Sequence, residues 1–132
     1  MYMVLECYDL LQRIEHHPAM WVGETSLKSI HNYTSGYYQA LLDNRLINKT
    51  ETNDPFFDWV AKKLDYSSST AGWANMILAY SMEFETKSIS WEIMLKTPVT
   101  EEQHIKSIAT FYELLRQFKN ETENTKTTSN SV

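Results

Sequence analysis

Residues 13–27 constrain this chain more than any other stretch. They run Arg13-Ile14-Glu15-His16-His17, then Pro18-Ala19-Met20-Trp21-Val22-Gly23, then Glu24-Thr25-Ser26-Leu27. A helical pattern enters, a proline and a glycine bound a corner, and a second helical pattern leaves. Proline lacks the N–H that would continue a helix, and glycine readily takes the left-handed backbone that ends one. Helices joined by so short a connection pack as neighbours. Met20 and Trp21 are therefore expected to lie buried between them.

Apolar spacing places the remaining elements. Val4, Cys7, Tyr8, Leu11 and Ile14 recur at three and four residues and predict a helix over 3–16. Thr25 or Ser26 can cap the next, over 26–44, with Leu27, Ile30, Thr34, Tyr37, Tyr38, Leu41 and Leu42 on its stripe. Gly36 inside it costs about 1 kcal/mol relative to Ala, so a close helix–helix approach is expected there. Residues 48–53 read as a loop. Asp54-Pro55 is a capping residue followed by a first-turn proline, and it opens a helix over 55–64 that buries Phe56, Trp59, Val60 and Leu64. Residues 67–70 read as a turn and cap before a helix over 71–82, with Trp73, Met76, Ile77 and Tyr80 inward.

Residues 83–100 fit two patterns. Ile89, Trp91, Ile93 and Leu95 alternate as in a strand, while Ile89, Ile93 and Met94 suit a short helix. A lone strand has no partner in such a chain, so helix is favoured. Pro98 stops it. Thr100 with Gln103 forms a capping box for a last helix carrying Ile105, Ile108, Tyr112, Leu115 and Phe118. The fold class is all-α: a single compact bundle of about five helices. Residues 1–119 form the helical domain. Residues 120–132 hold no apolar side chain but the terminal valine and are expected to be a disordered tail.

At 132 residues, with 42% hydrophobic and 13% aromatic content, one domain can bury a sizeable core without staples. The three glycines and three prolines are too few for an all-β fold of this size. The net charge is −5, and the two lysines and two glutamates after Phe118 cancel, so the excess sits on residues 1–118. An acidic body is a poor nucleic-acid binder and attracts a basic partner. The single cysteine, Cys7, cannot form an internal disulfide and falls in an apolar pattern. The first residues lack the pattern of a secretory signal, and no apolar stretch is long enough for a bilayer. The expected compartment is the cytoplasm, where the Asn-X-Thr sequons at Asn32, Asn48 and Asn120 carry no glycan.

Chemistry-bearing patterns are weak throughout. His16 and His17 are adjacent and would point apart on a helix, so they do not make a metal pair. Ser67, Ser68 and Ser69 have no neighbouring histidine, and no Gly-X-Ser-X-Gly or phosphate-binding glycine loop occurs. Glu83/Glu85 and Glu101/Glu102 are paired carboxylates, and the second pair belongs in a first helical turn on electrostatic grounds. The 55–82 unit has a helix-turn-helix outline, yet residues 71–82 contain no Lys or Arg to meet DNA. The reading is therefore of a protein without catalysis, cofactor or metal, with neither nucleic acid nor membrane as partner. Aromatic residues beside acids make good interface anchors. They occur at Asp58-Trp59, Glu83-Phe84-Glu85 and Trp91-Glu92. The candidate partner-binding residues are Glu83, Phe84, Glu85, Trp91 and Glu92, with Asp58 and Asp65 on the preceding helical unit.

The corner from His17 to Leu27 resembles the pattern Arg-Pro-Gly-Met-Tyr-Leu-Gly-x-x-Ser-Leu of small α-helical bacterial immunity and antitoxin-type proteins. Their later motifs resemble Gly36-Tyr37, Phe56-Phe57-Asp58-Trp59-Val60, Trp73-Ala74-Asn75-Met76-Ile77 and the ending Phe111 to Phe118. The likeness covers about residues 10–80 and 108–118. His17 stands where the pattern has Arg and Ala19 where it has Gly, and residues 83–100 read as an insertion. The corner is also similar to a short segment of type II topoisomerase ATPase domains, without their nucleotide-binding motifs. The immunity resemblance implies an all-α fold and a cognate protein toxin as partner. A basic, nucleic-acid-targeting toxin would suit the charge, with inhibition by occlusion of its active site. The alternative is a non-catalytic adaptor or oligomeric interaction module.

Overall fold

The computed structural model describes residues 3–48, 54–67 and 71–130, with side chains of the last helix as far as Asn124. These residues form eight helices and no strand. They are α1 (Met3–Glu6), α2 (Tyr8–Ile14), α3 (Pro18–Val22), α4 (Leu27–Asp43), α5 (Pro55–Lys63), α6 (Trp73–Ser81), α7 (Trp91–Lys96) and α8 (Glu101–Asn130). The count exceeds the expected five for three local reasons. Cys7 splits the first helix with φ −101° and ψ 16°, although hydrogen bonds from Cys7 N to Met3 O and from Leu11 N to Cys7 O span the break. The corner forms a helix of its own, α3. Residues 83–100 contain the short helix α7, the helix favoured there over a strand, which the count of about five left out.

Side-chain caps fix the starts of four of the eight helices. Ser26 Oγ accepts from Ser29 N at 3.4 Å, Asp54 Oδ1 from Phe56 N at 3.1 Å, and Ser90 Oγ from Ile93 N at 3.4 Å. The capping box closes both ways: Thr100 N donates to Gln103 Oε1 at 2.9 Å and Gln103 N to Thr100 Oγ1 at 3.1 Å. At the corner, Pro18 opens α3. Gly23 ends it with φ +90°, a conformation that favours glycine, and its N donates to Ala19 O.

The corner corrects one expectation. Met20 is 84% exposed and Trp21 37% exposed. Trp21 lies under the Arg13 guanidinium, 5.7 Å from its ring centroid, rather than between two helices. As a five-residue helix, α3 turns its Met-Trp pair away from the core, and none of its residues is buried. Gly36 is likewise exposed, and a Cβ there would meet nothing within 4 Å, so no close helix approach needs it.

At the centre, α6 packs against α4, α5 and α8. It buries Trp73, Ala74, Met76, Ile77, Ala79 and Ser81, nearly every side of its cylinder. The core is aromatic. Trp73 stacks on Phe111 with centroids 4.9 Å apart, and Phe56 meets Trp73, Phe111 and Phe118 edge to face. The Tyr112 hydroxyl donates to Leu11 O at 2.5 Å, tying α8 to α2 inside the core, and Arg116 pairs with Glu15 above it. Burial raises the Tyr112 and Tyr66 phenols well above their ordinary range and pushes the Cys7 thiol up to about 11.

The tail expected over 120–132 falls on the end of α8. The apolar stripe stops at Phe118, but the helix continues to Asn130. Trp59 Nε1 donates to Glu121, Lys63 lies 3.7 Å from the same carboxylate, and Lys119 Nζ pairs with Glu123 at 2.6 Å. Charge pairing extends past the end of the apolar stripe as far as Glu123. The loop expected at 48–53 and the turn expected at 67–70 lie mostly outside the described residues, and Gly72, not a hydroxyl, caps α6.

Candidate protein-binding surface

Three helices end in the same way. After α4, Arg45 N donates to Leu42 O and Leu46 N to Leu41 O. After α5, Asp65 N donates to Lys62 O and Tyr66 N to Ala61 O. After α6, Glu83 N donates to Tyr80 O and Phe84 N to Ala79 O. Each is the Schellman pattern, whose turning residue is usually glycine. Here those residues are Arg45, Asp65 and Glu83, with φ of 58°, 63° and 68°. A side chain in this left-handed region costs about 1–2 kcal/mol. Two of the three are among the expected partner-binding residues.

The turn at Glu83 starts the surface. It projects Glu83 and Glu85 into solvent with Phe84 half-buried between them. Glu83, Phe84, Glu85 and Thr86 line an open depression of 420 Å³ together with Tyr80 and Lys106. Neither Glu83 nor Glu85 is held in an ion pair among the described residues; Glu85 Oε1 accepts from Lys87 N at 3.2 Å.

The following residues are tied to the end of α5. Thr86 Oγ1 donates to Asp65 O at 3.1 Å, Ser67 Oγ to Lys87 O at 2.9 Å, and Lys87 Nζ lies 3.1 Å from Asp65 Oδ2. Asp65 therefore flanks the Glu83 turn through residues 86–87. Trp91 is half-buried and stacks on Tyr66 at 5.9 Å, so it anchors α7 against the core. Glu92 is exposed and pairs with Lys96 Nζ at 3.2 Å. Asp58 stands apart, on the first turn of α5, beside a different depression near the other end of α6.

The structure thus brings Glu83, Phe84, Glu85 and Asp65 together and separates Asp58. It adds two residues that the sequence pattern missed. Tyr80 was expected inward on the Trp73–Met76–Ile77 stripe but is 46% exposed at the depression. Because α6 is buried on nearly every side, its pattern does not distinguish its exposed positions. Lys106 reaches the site from α8, distant in sequence. Ile93 and Leu95, 63% and 62% exposed, form an apolar edge on α7. Among the described residues, no group of three or more His, Cys, Asp or Glu side chains is placed to hold a metal ion, and no helix is long and apolar enough to cross a membrane. No family model, curated protein or solved structure matches this chain.

Proposed function

We propose that this protein is an immunity protein that binds a basic bacterial toxin and neutralises it by covering its active site. The observation that carries the reading is the depression at the end of α6. Two exposed carboxylates, in no ion pair among the described residues, flank Phe84 in a depression they share with Tyr80 and Lys106. Aromatic side chains supply rigid contact area, and the unpaired carboxylates select a basic surface and steer its approach. The body charge of −5 acts in the same direction at longer range. Occlusion needs no catalysis, cofactor or nucleic acid from this chain.

The non-glycine turn supports the same reading. Glycine would relieve the backbone at position 83, and unlike Arg45 in the same conformation, Glu83 stands at the rim of the depression, which fits a task for its side chain. The test is co-expression in the cytoplasm with a toxin encoded beside this chain. The wild-type protein should protect cells, and the Glu83→Lys/Glu85→Lys variant, with its helical spectrum intact, should not. Failure of the wild type to protect would reject the reading. Protection by the double variant would move the interface elsewhere. The exposed Ile93 and Leu95 favour a second reading, a non-catalytic adaptor or self-associating module. Concentration-dependent oligomers lost on Ile93→Ser/Leu95→Ser would support it.

A further inference from the structure

The outer face of α4 runs against the local preferences of a helix at three places. Gly36 sits in the helix interior, where glycine is the least favourable residue after proline. A Cβ there would meet nothing within 4 Å, so no neighbour within the chain requires the missing side chain. Lys28 stands in the first turn, and Asp43 is the last residue. The helix dipole favours the opposite signs, acids at the start and bases at the end. Both side chains are exposed, and neither is in an ion pair among the described residues; Asp43 Oδ1 accepts from Gln39 Nε2 at 2.9 Å.

Between those ends the helix is uncharged. Residues 29–42 contain no Asp, Glu, Lys or Arg. The inner side of α4 buries Leu27, Ile30 and Thr34 and packs against α1, α2, α3, α6 and α8. The outer side leaves Asn32, Tyr33, Gly36, Tyr37, Gln39 and Ala40 exposed. Gly36 and Ala40, one turn apart, leave a shallow groove beside Tyr33 and Tyr37, each 40% exposed. A solvated helix face in a chain that is 22% charged would carry acids and bases. Depletion of charge around tyrosines suits a protein interface instead.

A single arrangement answers all of these features. A second α4 lies antiparallel to the first, with a two-fold axis between Gly36 and Tyr37. Tyr37 then faces Gly36 of the partner subunit, and Tyr33 faces Ala40 of the partner subunit. Large meets small at both places, and the two-fold axis repeats each contact. Lys28 comes within about 3 Å, along the axis, of Asp43 of the partner subunit. Both lie on the same flank of the face, so the long lysine can reach the carboxylate. Each charge also stands beside the favourable end of the neighbouring dipole, lysine at a C-terminus and aspartate at an N-terminus. A parallel pairing would set lysine against lysine and tyrosine against tyrosine. The face is thus its own complement in size and in charge, as a two-fold interface requires.

We propose that this protein associates with a second copy of itself through an antiparallel pairing of α4 with α4. The helix is about 25 Å long and about 10 Å wide. That face is smaller than the about 800 Å² per partner of a standard interface, so the dimer is weak, with a micromolar Kd. None of the residues named on this face lines the Glu83 depression, so the dimer carries two such surfaces.

The test needs no toxin. The full chain is followed by sedimentation velocity from low micromolar to near-millimolar concentration. Its mass should rise from 15.5 kDa towards twice that value. Gly36→Gln fills the groove with a better helix former. It should raise the melting temperature of the dilute protein and weaken association about tenfold or more. Lys28→Glu and Asp43→Lys each suit the helix dipole better than the native residue, so both variants should keep the fold. Each alone should weaken association about tenfold, Asp43→Lys even though it reduces the net negative charge. The two together should restore it. Lys28 and Asp43 of one chain are about 22 Å apart and cannot pair, so restoration reports a contact between copies. A monomer at every concentration, a Gly36→Gln dimer of undiminished affinity, or a charge exchange that fails to restore association would each overturn the pairing. So would a dimer that Ile93→Ser/Leu95→Ser abolishes while the α4 variants leave it intact. A monomer leaves toxin neutralisation standing, and failure to protect cells leaves the dimer standing.

Discussion

Replacing Glu83 with glycine should stabilise this protein while weakening its binding to a partner. Glu83 holds φ 68° at the end of α6. The left-handed backbone costs a residue with a Cβ about 1–2 kcal/mol, and glycine removes that cost. Glycine also loosens the unfolded chain, which returns about 0.5–1 kcal/mol. The carboxylate is exposed and makes no ion pair among the described residues, so its removal loses little. The expected net gain is about 0.5–1 kcal/mol, against a total stability of about 5–15 kcal/mol for a domain. Urea denaturation followed by circular dichroism reads it as a higher midpoint with an unchanged slope. Arg45→Gly is the control: it closes the same kind of turn, at φ 58°, away from the candidate surface. It should give a similar gain and leave binding alone. A lower or unchanged midpoint for Glu83→Gly would refute the argument that this backbone is strained. A higher midpoint with undiminished binding would refute the argument that the side chain is kept for a partner.

Other outcomes follow from the core. Phe56→Ala should cost about 3–5 kcal/mol, because its fully buried ring contacts four aromatic neighbours. Trp21→Ala should cost only about 1–2 kcal/mol, and equal losses in urea denaturation would contradict the corner described above. Tyr112→Phe should cost about 1 kcal/mol. Leu11 O still accepts from Glu15 N, so no carbonyl is orphaned, and a much larger loss would mean the hydroxyl holds more than this bond. His31 has a lowered pKa in the folded state, so the unfolded chain takes up a proton more readily. Its contribution to stability is lost as pH falls through the ordinary imidazole value of 6.5, and His31→Gln should flatten that slope. Asp54, raised in the folded state, acts in the opposite sense, losing its contribution as pH rises from its ordinary 3.8.

Where capping chemistry is explicit, the sequence locates helix starts to within a residue. Ser26, Asp54-Pro55 and the Thr100/Gln103 box all work as their side-chain chemistry dictates. The stripe Ile108, Tyr112, Leu115, Phe118 is buried as its spacing requires, because α8 packs against the central helix along that length. Periodicity gives a face but not what covers it. Ile105 sits on the same stripe yet is 53% exposed, since the small corner helix leaves a 270 Å³ hollow between it and Pro18. Met20 and Tyr80 fail for related reasons: a five-residue helix has no assured inner face, and a helix buried nearly all round has no readable outer one. The candidate surface was legible in part. The local run Glu83-Phe84-Glu85 is visible as acids around an aromatic. Its junction with Asp65, Tyr80 and Lys106 depends on how α5, α6 and α8 pack, which no local pattern encodes. The left-handed backbone at Glu83 was equally hidden, because a glutamate there does not advertise a turn that usually takes glycine.

The central claim is that an acidic, aromatic surface at the end of α6 captures a basic toxin. The most direct measurement is the rate of association between this protein and a toxin encoded beside it, as a function of ionic strength. At low salt, the association rate should be high and should fall by about tenfold or more on reaching physiological salt, while dissociation changes little. Glu83→Lys/Glu85→Lys should remove most of the low-salt advantage. An association rate that ignores salt, or one that survives the double reversal unchanged, would contradict the account.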